Sequence, residues 1–114
     1  MSTTKSRQSR HLPAFILLLL AEAPSHGGAL QSALAARVPT LKADSAGIYR
    51  ALNQLEKDAD VVSTWNTTGT GPAIRVYSLS AQGRKTLATW HTDIISRIEI
   101  LQYFLWSYDA LPKP

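Results

Sequence analysis

The sequence predicts a mainly helical fold: a winged helix-turn-helix with a β-hairpin wing and a long C-terminal dimerisation helix. Residues 44–57 place apolar side chains at helical spacing and polar ones on the other side. Residues 61–79 change to β-forming residues around a turn-rich loop, and residues 80–108 return to a helical repeat. With two helices predicted before residue 44, this order of elements is that of a winged helix-turn-helix.

Length and composition predict one small globular domain. The chain has 114 residues, of which 45% are apolar, and it has no cysteine, which excludes disulfides, thiolate catalysis and cysteine-ligated zinc. The apolar run Phe15 to Ala21 is too short to span a bilayer and lacks a signal-peptide cleavage pattern. We therefore expect a cytoplasmic protein that does not enter a membrane.

Positive charge is concentrated in the first half of the chain. Seven of the 12 lysines and arginines, but only three of the eight acids, lie in the first 57 residues. This asymmetry predicts an anionic partner for that half. Residues 1–10 carry three cations and no acid, which predicts a basic N-terminal arm that contacts phosphates; a solubilising terminus fits the same composition.

The first predicted helix runs from His11 to Ala23, begins near Pro13 and has large apolar residues on every face. In so small a chain, such a helix is either the centre of the domain or partly buried against a second subunit. Pro24 ends it, and Ser25 is expected to cap a second helix over residues 28–36.

The third predicted helix spans Asp44 to Lys57, with Asp44 or Ser45 as its N-cap and Gly47 in its first turn. The side expected to face the core carries Ile48, Leu52 and Leu55. The other side carries Tyr49, Arg50 and Asn53. A helix that needed only solubility would carry Glu and Lys there, whereas these groups can bind in a DNA groove. An ordinary solvated face remains the alternative for this segment taken alone.

A β-hairpin follows, in which residues 61–65 and 73–79 form the strands and the loop Asn66 to Pro72 carries no charge. In the second strand Ile74, Val76 and Leu79 alternate with polar or aromatic residues.

The last predicted helix is capped by Ser80, and its apolar stripe is wider than one side of a small domain can bury. A dimer through this helix is expected, and a helix folded back on its own domain is the alternative. The predicted interface residues are Phe15, Leu19, Leu87, Ile94, Ile98, Leu101 and Leu105.

Three stretches of the chain, LPAFILLLLAEAPSHG, SAGIYRALNQLEKD and GPAIRVYSLSAQGRKTLATW, resemble the PadR family of bacterial transcriptional regulators over residues 10–92. The matching positions, in the family's order and spacing, are Gly47, Tyr49, Leu52, Leu55, Glu56, Arg75, Tyr77, Leu79 and Gly83. Two positions depart from the family pattern. Gly28 replaces an aromatic, and Ala59 with Asp60 replaces a glycine and a leucine after the third helix. Ala59 is expected to make that turn costlier, because alanine tolerates a left-handed backbone poorly.

The resemblance implies a DNA-binding transcriptional regulator that is not an enzyme and needs no cofactor. We expect a repressor that binds a near-palindromic operator as a homodimer. The expected division is an arm (1–10), a DNA-binding domain (11–79), a dimerisation helix (80–108) and a tail (109–114). The candidate DNA contacts are Lys5, Arg7, Arg10, Lys42, Ser45, Tyr49, Arg50, Asn53, Thr67, Thr68, Thr70 and Arg75. For Arg75 two roles are open, contact with the DNA backbone or pairing with Glu56 inside the fold, and the resemblance favours a structural share.

A small planar effector is the other expected partner, because flat ligands stack on Trp and Tyr. The candidate pocket residues are Trp90, His91, Ile94, Tyr103 and Trp106; the alternative is that they only pack the dimer interface.

Metal and enzyme sites are not expected. The histidines His11, His26 and His91 lack metal-ligand spacing, and Asp58 and Asp60 suggest a solvated turn rather than a catalytic pair. A different class of function, a winged-helix module that binds a protein and not DNA, would use the same exposed helix.

Overall fold

The structure, a computed structural model, describes residues 10–114; the predicted contacts of Lys5 and Arg7 lie outside the described residues. The order of elements is the predicted one. The elements are α1 (Leu12–Glu22), α2 (Gly27–Arg37), a short 3-10 turn (Pro39–Leu41), α3 (Ser45–Lys57), β1 (Val61–Asn66), β2 (Ile74–Leu79) and α4 (Ala81–Asp109).

Helix α1 is the centre of the domain. It contacts α2, α3, α4 and β2, which explains why its sequence is apolar on nearly every side. The buried core consists of Leu12, Ile16, Leu17, Leu19, Leu20, Leu30, Leu34, Ile48, Leu52, Leu55, Val61 and Tyr77. Leu19 is only 8% exposed within the single chain. Its expected place in a dimer interface is therefore corrected, because the side chain already packs in the chain's own core.

The N-cap of α2 is His26 and not Ser25, which corrects the sequence expectation. The Nδ1 atom of His26 accepts a hydrogen bond of 3.2 Å from the backbone N–H of Ala29. Ser25 instead extends the hairpin, because its N–H donates to the carbonyl of Tyr77 at 3.0 Å and its carbonyl accepts from the Tyr77 N–H at 2.8 Å. This extended pairing moves the cap position one residue along the chain.

Helix α3 begins as predicted. The Asp44 carboxylate accepts a hydrogen bond of 2.7 Å from the Gly47 N–H, and so Asp44 is the N-cap. Ile48, Leu52 and Leu55 are buried against the core.

The hairpin is antiparallel, and its register runs from Val61 opposite Leu79 to Asn66 opposite Ile74. Tyr77 is the core residue of β2, whereas Ile74 is 48% exposed. The buried side of β2 is therefore the side of Tyr77 and not that of Ile74. Burial raises the pKa of Tyr77, and the nearby positive charge of Arg75 opposes this increase.

A tight junction joins the end of α3 to the start of α4. Asp60, only 5% exposed, accepts a hydrogen bond of 2.6 Å from the Thr86 hydroxyl, so it does not lie in the solvated turn that its sequence suggested. The Ser80 hydroxyl donates to the Ala59 carbonyl at 2.6 Å. A Cβ on Gly83 would overlap the Asp60 carbonyl oxygen, so only glycine lets the two segments approach this closely.

Helix α4 has 29 residues and continues past the domain, which gives the molecule extents of 65 × 27 × 24 Å. Its early residues, among them Leu87 and Trp90, pack against the core. We call residues 95–108 the distal half of α4. Its large apolar side chains are exposed, and they are Ile95, Ile98, Ile100, Leu101, Tyr103, Phe104, Leu105, Trp106 and Tyr108. None of the described helices has the length and apolar character needed to cross a membrane.

Replacing Ala59 by glycine is expected to stabilise the protein. Ala59 has a φ of 65°, in the left-handed region where a Cβ costs about 1 kcal/mol, and glycine removes that cost. We therefore expect Ala59→Gly to increase the free energy of unfolding in urea by about 1 kcal/mol. The control is Ala35→Gly, at an exposed helical position in α2, which should lower it by about 1 kcal/mol. Equal destabilisation by both changes would contradict the prediction.

Candidate nucleic-acid interface

The exposed side of α3 presents a row of polar side chains. Ser45, Tyr49 and Asn53 follow one another at intervals of four residues, with Arg50 beside them, and all four are exposed. The opposite side of the same helix is buried. This arrangement holds the helix rigidly on the domain and leaves a hydroxyl, a phenol, a guanidinium and an amide available to a ligand. These four predicted site residues are therefore brought together.

Tyr49 packs on Gly27, which is not among the predicted site residues. A Cβ built on Gly27 would lie 2.6–2.7 Å from atoms of the Tyr49 ring and hydroxyl, so the ring lies directly on the first turn of α2. The side chain is nevertheless 45% exposed. The ring thus has a fixed position between α2 and solvent. The only sequence signal for this contact was the pair of glycines after His26.

A hydrogen-bonded ion pair joins α3 to both strands of the hairpin. Glu56 accepts a hydrogen bond of 2.6 Å from Nη2 of Arg75 and another of 2.6 Å from the hydroxyl of Ser63. Nε of Arg75 donates to the same hydroxyl at 3.0 Å. The predicted pairing of Arg75 with Glu56 is confirmed, and the guanidinium is thereby committed to the fold.

An open cleft of about 500 Å³ lies between α3 and the hairpin. It is lined by His26, Tyr49, Asn53, Trp65, Ala73, Ile74, Arg75 and Tyr77. The guanidinium of Arg75 lies 5.4 Å from the ring centre of Tyr77 and 5.9 Å from that of Trp65. Trp65 was not among the predicted site residues. The sequence feature that could have indicated Trp65 is a large aromatic residue on a short strand beside a turn-rich loop.

The other predicted DNA contacts among the described residues lie on segments that precede helices or join the two strands. Lys42, directly before α3, and Arg10, directly before α1, are exposed. The loop threonines Thr67, Thr68 and Thr70 are exposed as well. The Thr68 hydroxyl already donates to the Asn66 side chain at 2.7 Å, which leaves it less available to a ligand.

The structure assembles only part of the predicted effector pocket. Trp90, His91 and Ile94 line a groove of about 420 Å³ between α1 and α4, together with Phe15, Leu18 and other residues. Tyr103 lies about 20 Å from Trp90 along α4, at 1.5 Å per helical residue, and Trp106 lies beyond it. One chain therefore does not bring the five residues together. The reason is that helical periodicity places residues on the same side of α4 but does not bring them close together along its axis.

Among residues 10–114, no three His, Asp or Glu side chains are grouped so as to hold a metal ion.

The comparisons with known proteins agree with this architecture. A family model described as the transcriptional regulator PadR-like family matches residues 16–89. No curated protein matches the chain. A solved PadR family transcription regulator from Clostridium difficile is 18% identical with a TM-score of 0.74, over 83% of this chain and 98% of that one. A solved protein of unknown function, described as a potential transcriptional factor, is 32% identical with a TM-score of 0.67, over 89% and 92% of the two chains.

A further similar structure is that of Bacillus subtilis PadR in complex with operator DNA. It is 24% identical with a TM-score of 0.65, over 71% of this chain and 46% of that one. These likenesses confirm the predicted fold class, a winged helix-turn-helix with a long C-terminal helix.

The ion pair between Glu56 and Arg75 is expected to stabilise the fold measurably. A double-mutant cycle of Glu56→Gln and Arg75→Gln, followed by urea denaturation, should give a coupling energy of about 1 kcal/mol, because the pair is hydrogen-bonded but only partly buried. The more exposed pair Glu22 and Arg37 is the control and should give about 0.5 kcal/mol or less. A coupling energy near zero for the first pair would show that the ion pair does not hold α3 to the hairpin.

Proposed function

We propose that this chain, which belongs to the transcriptional regulator PadR-like family, binds double-stranded DNA sequence-specifically as a homodimer. The observation that carries the proposal is the exposed row on α3, Ser45, Tyr49, Arg50 and Asn53, on a helix whose other side is locked into the core. The complex of Bacillus subtilis PadR with operator DNA, a structure of the same fold, supports it.

In this proposal α3 lies in the major groove with its N-terminal half nearest the bases. The guanidinium of Arg50 can bind guanine or a phosphate, the amide of Asn53 suits adenine, and Ser45 lies at the helix N-terminus, where phosphates bind well. Tyr49 contacts a phosphate or a thymine methyl. Lys42 supplies sequence-independent attraction to phosphates. Arg10, with Lys5 and Arg7 outside the described residues, is proposed for the same role.

Arg75 belongs to a different class. Its guanidinium is held by Glu56 and Ser63, and its positive charge is balanced by the carboxylate. We therefore propose that Arg75 positions the hairpin relative to α3 and does not contact phosphates itself.

The distal half of α4 supports the homodimer. Its side chains form an apolar surface along a helix that extends beyond the domain, and a second copy would cover this surface around a two-fold axis. Ile94, Ile98, Leu101 and Leu105 recur at three or four residues and form the centre of the proposed interface. Two-fold symmetry would place the two α3 helices on half-sites about one helical turn, roughly 34 Å, apart. The operator would then be nearly palindromic.

Repression and release by a planar effector stay predictions. The groove between α1 and α4 has a volume suited to a small ligand and an aromatic wall at Trp90. The same groove borders the proposed dimer interface, so packing against a second copy accounts for it equally well.

A protein-binding module is the second candidate function, because the exposed side of α3 could bind a protein instead. The salt dependence of DNA binding separates the two. Affinity for DNA falls steeply as salt rises when phosphates are contacted, whereas a protein-binding module has no DNA affinity even at low salt.

Removing Arg50 is expected to weaken operator binding without disturbing the dimer. Arg50→Ala deletes, in each subunit of the dimer, a base or phosphate contact worth about 1–3 kcal/mol, so the dissociation constant in a mobility-shift titration should rise tenfold or more. Tyr49→Phe, which keeps the ring on Gly27, should weaken binding less. The control is Lys113→Ala in the exposed tail, which also removes one positive charge. Unchanged binding by Arg50→Ala and Tyr49→Ala would remove α3 from the groove.

Placing a charge in the distal half of α4 is expected to separate the dimer. Leu101 is 61% exposed in the single chain, and Leu101→Glu would bury a carboxylate in the proposed interface. Light scattering after size-exclusion chromatography should then give the monomer mass. Ser96→Glu, on the side of the same helix opposite Leu101, is the matched control and should stay dimeric. A wild-type monomer, or a dimeric Leu101→Glu, would contradict the proposed interface.

A further inference from the structure

Trp65 is an exposed aromatic residue on the side of the hairpin that faces α3. The register pairs Trp65 with Arg75 and Ser63 with Tyr77, so these four side chains share one side of the hairpin. Trp65 lines the cleft whose other wall carries Tyr49 and Asn53. Its side chain is nevertheless 63% exposed, which leaves a large aromatic surface in water.

The hairpin has no free positive charge with which to hold a phosphate. No charged residue occurs between Val61 and Ile74. The charge of Arg75 is paired with Glu56 at 2.6 Å. A contact between this hairpin and DNA must therefore rely on hydroxyls, backbone amides and aromatic surface. Of these, the Trp65 ring offers the largest apolar area for burial.

We propose that Trp65 is the main DNA contact of the hairpin, packing its ring against the sugars and base edges of the strand that runs along the cleft. The proposal rests on the proposed function. With α3 in the major groove, the cleft opens towards the neighbouring backbone, and its volume of about 500 Å³ accommodates part of one strand. Packing against sugars tolerates any sequence, because every nucleotide of the duplex carries the same deoxyribose.

Arg75 holds Trp65 for this contact. Its guanidinium lies 5.9 Å from the centre of the Trp65 ring and is itself fixed by Glu56 and Ser63. The ion pair thus orders the tryptophan before DNA arrives, which reduces the entropy lost on binding.

The test measures the affinity of the full chain, over a series of salt concentrations, for an operator duplex selected from random DNA. Trp65→Ala should bind about tenfold more weakly than the wild type, with the same slope of log affinity against log salt, because an aromatic contact releases no counterions. Trp65→Phe should recover part of the lost affinity. Lys42→Ala, in contrast, should make the slope shallower by about two units, because the dimer carries two copies of Lys42.

Val62→Thr is the matched control. Val62 is an exposed residue of the same strand on the other side of the hairpin, and the change keeps the β-branched shape. It should bind like the wild type. Thermal unfolding of every variant by circular dichroism identifies changes that act through folding. If Trp65→Ala unfolds at the assay temperature, the affinity of Trp65→Phe tests the proposal instead, and wild-type or undetectable affinity of a folded Trp65→Phe would contradict it.

Hydroxyl-radical footprinting gives a second readout, because it reports protection of individual sugars. Trp65→Ala should lose protection at a few sugars flanking each half-site and keep it where α3 binds. Wild-type affinity and an unchanged footprint for Trp65→Ala would overturn the proposal, as would a slope made shallower to the same extent as in Lys42→Ala. A wild-type chain with no DNA affinity at low salt would instead overturn the proposed function itself.

Discussion

The rest of the proposed interface depends on the hydrogen-bonded ion pair between Glu56 and Arg75. Glu56 lies on α3, Arg75 on β2, and the hydroxyl of Ser63 on β1 completes the triangle with distances of 2.6–3.0 Å. The pair links the helix proposed for the major groove to the hairpin beside it. The pair also neutralises the single positive charge of the hairpin, since β1, the loop and β2 contain no other cation. One contact therefore joins the two walls of the cleft and neutralises its cation.

A second constraint determines how α3 is placed relative to α4. The last turn of α3 leads through Ala59, in the left-handed conformation, to the buried Asp60, whose carboxylate accepts from Thr86 on α4. Gly83 lets the two backbones meet there. In the proposed dimer the spacing of the two α3 helices depends on this junction, because α4 both leaves it and forms the interface. Strain at Ala59 is thus tolerated at a point where the surrounding hydrogen bonds determine the turn.

The sequence predicted where most of the fold would lie, because period and capping are local properties. The 3.6-residue spacing of Ile48, Leu52 and Leu55, with Asp44 before them, was sufficient to predict α3 and its buried side. The same local reasoning failed where a long-range contact decided. Ser25 was expected to be a cap, but its backbone pairs with Tyr77, 52 positions later in the chain, and no local pattern contains that information.

For the candidate site, the sequence by itself determined which chemical groups α3 exposes, because residues three or four apart lie on the same side of a helix. It also offered the pairing with Glu56 as one of two roles for Arg75, and the structure decided between them. Only the tertiary structure showed that Trp65 faces α3 across a cleft, that Gly27 supports the Tyr49 ring, and that Asp60 is buried. Each of these facts depends on the distance between elements that are remote in sequence. Packing sets that distance, and it cannot be derived from the periodicity of any one segment.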